Sequence, residues 1–132
     1  MLLCHGFTGS PQGLRPWGEH LAAQGLAVRC PRLPGHGTRW QELNTTRWPD
    51  WYACLEAELA VLAAREAPVF VFGLSVGGAL ALLLAARHPE VRGPGCASRE
   101  GTLGAKTFRG FERRTQNPPN PYSPGTAKCR IN

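Results

Sequence analysis

The stretch FGLSVGGAL, Phe72 to Leu80, sets a serine between glycines where two apolar runs meet. Upstream of it, VFVFG (Val69 to Gly73) is continuous and β-branched or aromatic, as a strand covered on both faces should be. Downstream, Val76 to about Arg87 is apolar nearly all round and stops before Pro89. A helix with that composition expects burial. Gly73, Ser75 and Gly77 fit the pattern Gly-x-Ser-x-Gly. Three fixed positions of common residues are weak evidence alone, but a strand before and a helix after are the setting the pattern requires. In such a turn the serine hydroxyl projects beyond the sheet, and the glycines keep side chains out of the bend. The helix beginning at Val76 aims its N–H groups and dipole at a developing oxyanion. The plainer reading is a small residue in an ordinary strand-to-helix turn. The context favours Ser75 as a nucleophile.

The segments before this turn alternate in the same way. LLCH (Leu2 to His5) reads as a buried strand, followed by the loop GFTGS. A helix spans about Pro11 to Gln24, with Ser10 as cap, Leu14, Trp17 and Leu21 on one face, and Gly25 as its end. Pro16 lacks an N–H, which places the expected start of the helix nearer Arg15. LAVRC (Leu26 to Cys30) is a second strand, and PRLPGHG then breaks regular structure. A second helix runs from about Arg47 to Glu66 with Thr46 as cap and a stripe of Trp51, Leu55, Leu59 and Leu62. Strand, helix, strand, helix, strand, helix implies an α/β fold with a parallel sheet and right-handed crossovers. A second oxyanion donor is expected from the loop after an earlier strand. His5-Gly6-Phe7 lies there: Gly6 lets the backbone come close, and the N–H of Phe7 would join that of Val76.

These stretches resemble a known family. LLCHGFTGSPQGLRPWGEHLAAQGLAV, PRLPGHG, RWPDWYACLEAEL and VFGLSVGGALALLLAARHPEVRG look like the carboxylesterase and monoacylglycerol-lipase group of α/β-hydrolases. The resemblance covers about residues 2–93. It implies a partial α/β-hydrolase fold of about three parallel strands with flanking helices. It implies hydrolysis of a small-molecule carboxylic ester through an acyl-enzyme on Ser75, with the amides of Phe7 and Val76 as oxyanion donors. His5, Gly6, Gly73 and Gly77 would be structural parts of the motif. Such chemistry needs no metal or cofactor, and no signature of either is present.

The resemblance also implies parts not found here. The family places another strand, a catalytic acid and a catalytic histidine after the serine, in that order. Downstream of Ser75 there is no Asp, and the only histidine is His88, at the far end of the helix that Ser75 begins. Twelve helical residues put it about 18–20 Å away, whereas a base must come within roughly 3 Å. His5 and His36 read as loop organisers, and His20 as a solvated residue on a helix flank. The expectation is a truncated hydrolase with little or no activity as it stands. The family's strand order places LLCH between LAVRC and VFVFG. Both outer strands would then be raw edges open to self-association, and one face would be covered only by the first helix.

Charge divides the 132 residues. Residues 1–92 hold 8 Arg against 7 acids, and residues 93–132 hold 7 Lys or Arg against 2 acids. The last 40 residues also carry 6 Gly and 5 Pro, with only Leu103, Phe108, Phe111 and Ile131 as large aliphatic or phenylalanine side chains. The expected division is therefore a partial hydrolase domain over 1–93 and a disordered basic tail over 94–132. No nucleic-acid-binding pattern accompanies the charge, so no specific nucleic-acid partner is expected. The alternative function is a non-catalytic remnant that binds another chain through its tail or sheet edges. Five widely spaced cysteines without C-x-x-C argue against a disulfide framework or zinc site. No signal-peptide pattern or membrane-length apolar run is visible. The expectation is a cytoplasmic protein.

Overall fold

A computed structural model describes residues 1–97 and 129–131. In chain order it comprises β1 (Leu2–Cys4), a 3-10 turn (Pro11–Leu14), α1 (Arg15–Ala23), β2 (Val28–Cys30) and α2 (Trp40–Asn44). There follow α3 (Trp48–Ala63), β3 (Val69–Leu74), α4 (Val76–Arg87), β4 (Val91–Ala97) and the short β5 (Cys129–Ile131). Every strand pairing is parallel, and the order is β4-β3-β1-β2-β5. β1 lies between β2 and β3, as the resemblance implies.

The prolines explain how the first helices begin. Pro11 opens the 3-10 turn and Pro16 sits in the first turn of α1, where a missing N–H breaks no helical bond. Ser10 is extended there but makes no side-chain cap. α3 is capped differently from the expectation. Thr46 is not its cap; the carboxylate of Asp50 reaches back to accept the N–H of Arg47 at 2.8 Å. The Thr46 hydroxyl instead accepts the indole N–H of Trp51 at 3.1 Å. α2 was not legible in the sequence: it is a five-residue helix with no buried residue, packed against the turn at Gly35.

The side-chain alternation of β1 divides the core in two. Leu2 and Cys4 join Leu55, Leu59, Leu62, Leu80, Ala81 and Leu84 beneath α3 and α4. Leu3 joins Leu14, Leu21, Val28 and Phe72 beneath α1. Trp17 meets Phe72 edge-on at 4.2 Å. Each fully buried Leu or Phe contributes about 1.5–3 kcal/mol. α1 covers the second face, and Leu3, Val28 and Phe72 are buried beneath it rather than left in water. Among the described residues the large exposed apolar side chains are elsewhere: Phe7 and Leu74 at the carboxyl end of the sheet, and Trp40, Trp48, Val61 and Leu82 on α2, α3 and α4.

The parallel sheet with flanking helices is as expected, and it is extended beyond the three strands read from the sequence by β4. It pairs with β3 from Val69↔Val91 to Leu74↔Ala97, with an irregularity between Val69 and Phe70. The sequence VRGPGCA hid it, because glycine and proline are poor strand formers. β4 forms because β3 presents a row of free backbone groups, and an edge strand can hold a proline where its missing N–H would face away from the sheet. The strand crosses the expected boundary at Gly93 and runs to Ala97. The expectation of raw edges on β2 and β3 is corrected too, since β5 pairs with β2 and β4 with β3. Residues 98–128 and 132 of the expected disordered tail lie outside the described residues.

Candidate active site

Ser75 is where β3 ends and α4 begins, and its backbone is left-handed at φ 56° and ψ −121°. For a residue with a side chain this conformation costs on the order of 1–3 kcal/mol. The surroundings enforce it. The N–H of Ser75 donates to the Ala97 carbonyl at 2.8 Å, so β4 holds the peptide entering the turn. The Ser75 carbonyl accepts from Gly78 at 2.8 Å and from Ala79 at 3.3 Å, so α4 holds the peptide leaving it. The serine itself is exposed. Among the described residues its hydroxyl has no hydrogen-bond partner.

The glycines of the motif are required by contact. A Cβ at Gly73 would lie 2.0 Å from the Gly77 carbonyl oxygen. One at Gly77 would lie 2.5 Å from the carbonyl oxygens of Cys4 and His5, and one at Gly78 would lie 2.7 Å from the Cβ of Cys96. Only bare backbone lets α4 pass this close to β1, β3 and β4.

The His5-Gly6-Phe7 loop abuts the same turn. A Cβ on Gly6 would meet the Leu74 carbonyl oxygen at 3.1 Å and the Ser75 Cβ at 3.4 Å. The Gly6 carbonyl lies 3.0 Å from the Nδ1 of His5 and accepts the N–H of Gly9 at 3.0 Å. A trans peptide points its N–H opposite to its carbonyl, so these bonds turn the Phe7 N–H away from them. The same reasoning applies to Val76, whose N–H shares a peptide unit with the doubly bonded Ser75 carbonyl. Among the described residues neither the Phe7 nor the Val76 amide has an acceptor.

His5 is buried, and both its nitrogens are engaged. Nε2 accepts the N–H of Leu33 at 3.2 Å, so the hydrogen is on Nδ1, which donates to Gly6. Burial pushes its pKa below the ordinary histidine value; the Gly6 hydrogen bond opposes that and the nearby His36 adds to it. A neutral imidazole thus ties the β2–α2 connection to the loop that carries Phe7. His36 is also buried, beside His5, Phe7 and Trp51. His20 is exposed on α1. His88 follows α4 at the opposite end from Ser75, with Nε2 2.8 Å from Glu56 and Nδ1 3.2 Å from Glu90.

Sequence reasoning missed Ala97, whose carbonyl holds the serine's N–H; no side-chain signal marks a role carried by backbone. Cys4 lies beside the turn, but burial raises its thiol pKa, which keeps it a neutral packing group. Cys4 and Cys54 are free thiols. Among the described residues no group of three or more His, Cys, Asp or Glu could hold a metal ion. No helix there is long and apolar enough to cross a membrane.

Comparison with known proteins shows the family to which the chain belongs. Residues 1–126 match the profile of the alpha/beta hydrolase family. A thermostable monoacylglycerol lipase from Bacillus sp. (strain H-257) is 45% identical over 93 residues, which is 70% of this chain and 37% of the lipase. A carboxylesterase from Bacillus subtilis (strain 168) is 33% identical over 100 residues, 74% of this chain and 40% of that enzyme. A solved structure from work on LipS and LipT, two metagenome-derived lipolytic enzymes, superposes with a TM-score of 0.65 at 43% identity. That match covers 68% of this chain and 37% of the other. The chain therefore spans well under half the length of these relatives.

Proposed function

The chain belongs to the alpha/beta hydrolase family, and from that premise we propose that it carries the nucleophile and oxyanion donors of a serine hydrolase acting on carboxylic esters. The relatives are an esterase and lipases, which supports an ester of a small molecule as the substrate class. Ser75 Oγ would attack the ester carbonyl carbon. The carbonyl electron pair would move onto oxygen, where the amides of Phe7 and Val76 would receive it. Collapse would expel the alcohol and leave an acyl-serine, and water would hydrolyse that ester in a second step. One such amide donor is worth about 2.7–4 kcal/mol of transition-state stabilisation.

The observation that carries this reading is the exposed Ser75 in its left-handed turn at the carboxyl end of β3, next to two amides without acceptors. The proton on Oγ needs a base. Both ring nitrogens of His5 and of His88 are occupied, His36 has one unpartnered nitrogen but is buried against His5, Phe7 and Trp51, and His20 is on α1. Turnover by this chain is therefore expected to be weak. Binding and oxyanion stabilisation alone leave about 10³–10⁴ over the uncatalysed rate in a serine hydrolase stripped of its triad.

The test pairs a fluorophosphonate probe with hydrolysis of a short p-nitrophenyl ester. Slow covalent labelling is expected at Ser75, abolished by Ser75→Ala, with a rate that climbs as pH is raised instead of levelling near neutrality. Labelling that is unchanged in Ser75→Ala would sink the proposal.

A further inference from the structure

An oxyanion donor is effective when it is held in place before the reaction begins. The peptide unit that carries the Phe7 N–H is fixed at one point. Its oxygen, on Gly6, lies 3.0 Å from His5 Nδ1 and accepts the Gly9 N–H at 3.0 Å. A plane held at its oxygen can still swing about that atom. The residue after Phe7 does not oppose the swing, because Thr8 sits at φ 58°, which β-branched residues avoid. Strained backbone of this kind persists only where the surroundings over-determine it.

The further restraint is on the Phe7 ring. Its centre lies 5.9 Å from that of His36, edge-on at 84°, and 6.0 Å from that of Trp51, tilted by 50°. His36 and Trp51 meet each other edge-on at 4.9 Å, and both are buried. These two rings are tied to one node. His36 Nδ1 lies 3.1 Å from the Pro34 carbonyl oxygen, which can only accept, so in the neutral ring Nδ1 carries the hydrogen. Trp51 donates its indole N–H to the Thr46 hydroxyl at 3.1 Å. That hydroxyl lies 3.2 Å from the same Pro34 oxygen and 3.0 Å from the Leu43 oxygen, and has one hydrogen to give. Thr46 is free for this task because Asp50, not Thr46, caps α3.

We propose that Thr46 is a positioning residue for one oxyanion donor: its hydroxyl fixes Trp51, Trp51 and His36 fix the Phe7 ring, and the ring fixes the end of the plane that carries the Phe7 N–H. The other donor is outside this chain of contacts. The Val76 amide is set by the Ser75 carbonyl, which accepts from Gly78 and Ala79. The two donors are therefore separable. The role of Thr46 rests on the serine chemistry proposed above, and the experiment tells the failure of one from the failure of the other.

The experiment is amide nuclear magnetic resonance on the full chain labelled with ¹⁵N, before and after reaction of Ser75 with a fluorophosphonate. The phosphonyl oxygen of the adduct takes the place of the oxyanion. In the parent adduct the amide hydrogens of Phe7 and Val76 should both move downfield. Thr46→Val keeps the shape and deletes the hydroxyl; its adduct should lose the Phe7 shift and keep the Val76 shift, which certifies that the turn is folded. Thr46→Ser returns the hydroxyl and should return the Phe7 shift. Labelling of Thr46→Val should be slower than that of the parent, by at most the factor of about 10²–10³ that one lost donor costs. A Phe7 shift that survives in Thr46→Val would overturn the role of Thr46 and leave the serine chemistry standing. Loss of both shifts in that variant would overturn it too, since the effect would then be general. A parent adduct in which neither amide moves would remove the oxyanion donors themselves, and the role of Thr46 with them.

Discussion

Ser75 and Glu66 both hold backbone that side chains avoid, at φ 56° and φ 54°. Their settings differ. Glu66 is exposed just past α3, where its N–H closes a turn onto the Ala63 carbonyl at 3.0 Å. Ser75 is clamped by β4 on one side and by α4 on the other, and bare glycines bring three strands and a helix against its turn. Positive φ thus accompanies an ordinary helix end in one place and a strand-to-helix turn held by several elements in the other. What separates the two is the number of independent contacts that over-determine the residue.

Changes at four positions, with Gly13 as a control, would break or sharpen that contrast, all read by urea unfolding. The largest effect is expected from Gly77→Ala, whose methyl would enter the carbonyl oxygens of Cys4 and His5. A loss of about 3 kcal/mol or more is expected, at the upper end for overpacking. Gly13→Ala is the matched control, since nothing lies within 4 Å of a Cβ there; it should stay within about 0.5 kcal/mol. Equal effects would mean the turn is not clamped.

His5→Asn comes next. It strands the buried Leu33 N–H and should cost about 1–3 kcal/mol at neutral pH. His5 also brings a pH dependence. Its folded pKa lies below the unfolded value, so its contribution is complete above about 6.5 and declines as pH falls through the window below it. The slope cannot exceed about 1.4 kcal/mol per pH unit for one proton. The Met1 amine, lowered to about 5 mainly by burial, contributes a slope of the same sign below about 8. The His5 part is therefore the difference between the parent and His5→Asn profiles. Parallel profiles would remove His5 from the account.

Ser75→Gly and Ser75→Ala both delete the hydroxyl, but only glycine relieves the left-handed strain. The glycine variant should be the more stable of the two by about 1–2 kcal/mol. Apart from the Gly13 control, Glu66→Gly should give the smallest change, a gain of about 0.5–1 kcal/mol, because relief of strain is partly offset by the freer unfolded chain. A larger gain at Glu66 than at Ser75 would reverse the comparison.

Much of this was legible along the chain. The apolar run Val69 to Gly73, the all-apolar helix after it and the glycines between them defined strand, turn and helix, because period and glycine placement are local properties. The bounds of α4 fell at Val76–Arg87 as read. That the His-Gly-Phe loop follows a strand was readable as well; that it abuts the serine turn came from the structure. α2 was not legible, because a five-residue helix without a buried side chain leaves no periodic signal.

What the sequence determined by itself is the alternating α/β order and the identity of the serine turn, since both are written in neighbours a few residues apart. What only the tertiary structure decided is that Val91–Ala97 becomes a strand, that Ala97 holds the serine's N–H, and that His5 joins two loops while His36 keeps an unpartnered nitrogen. Those outcomes depend on backbone groups of distant segments meeting at about 3 Å. A glycine- and proline-rich segment becomes a strand when an unpaired edge lies beside it, and an imidazole's role depends on which amides and carbonyls surround it.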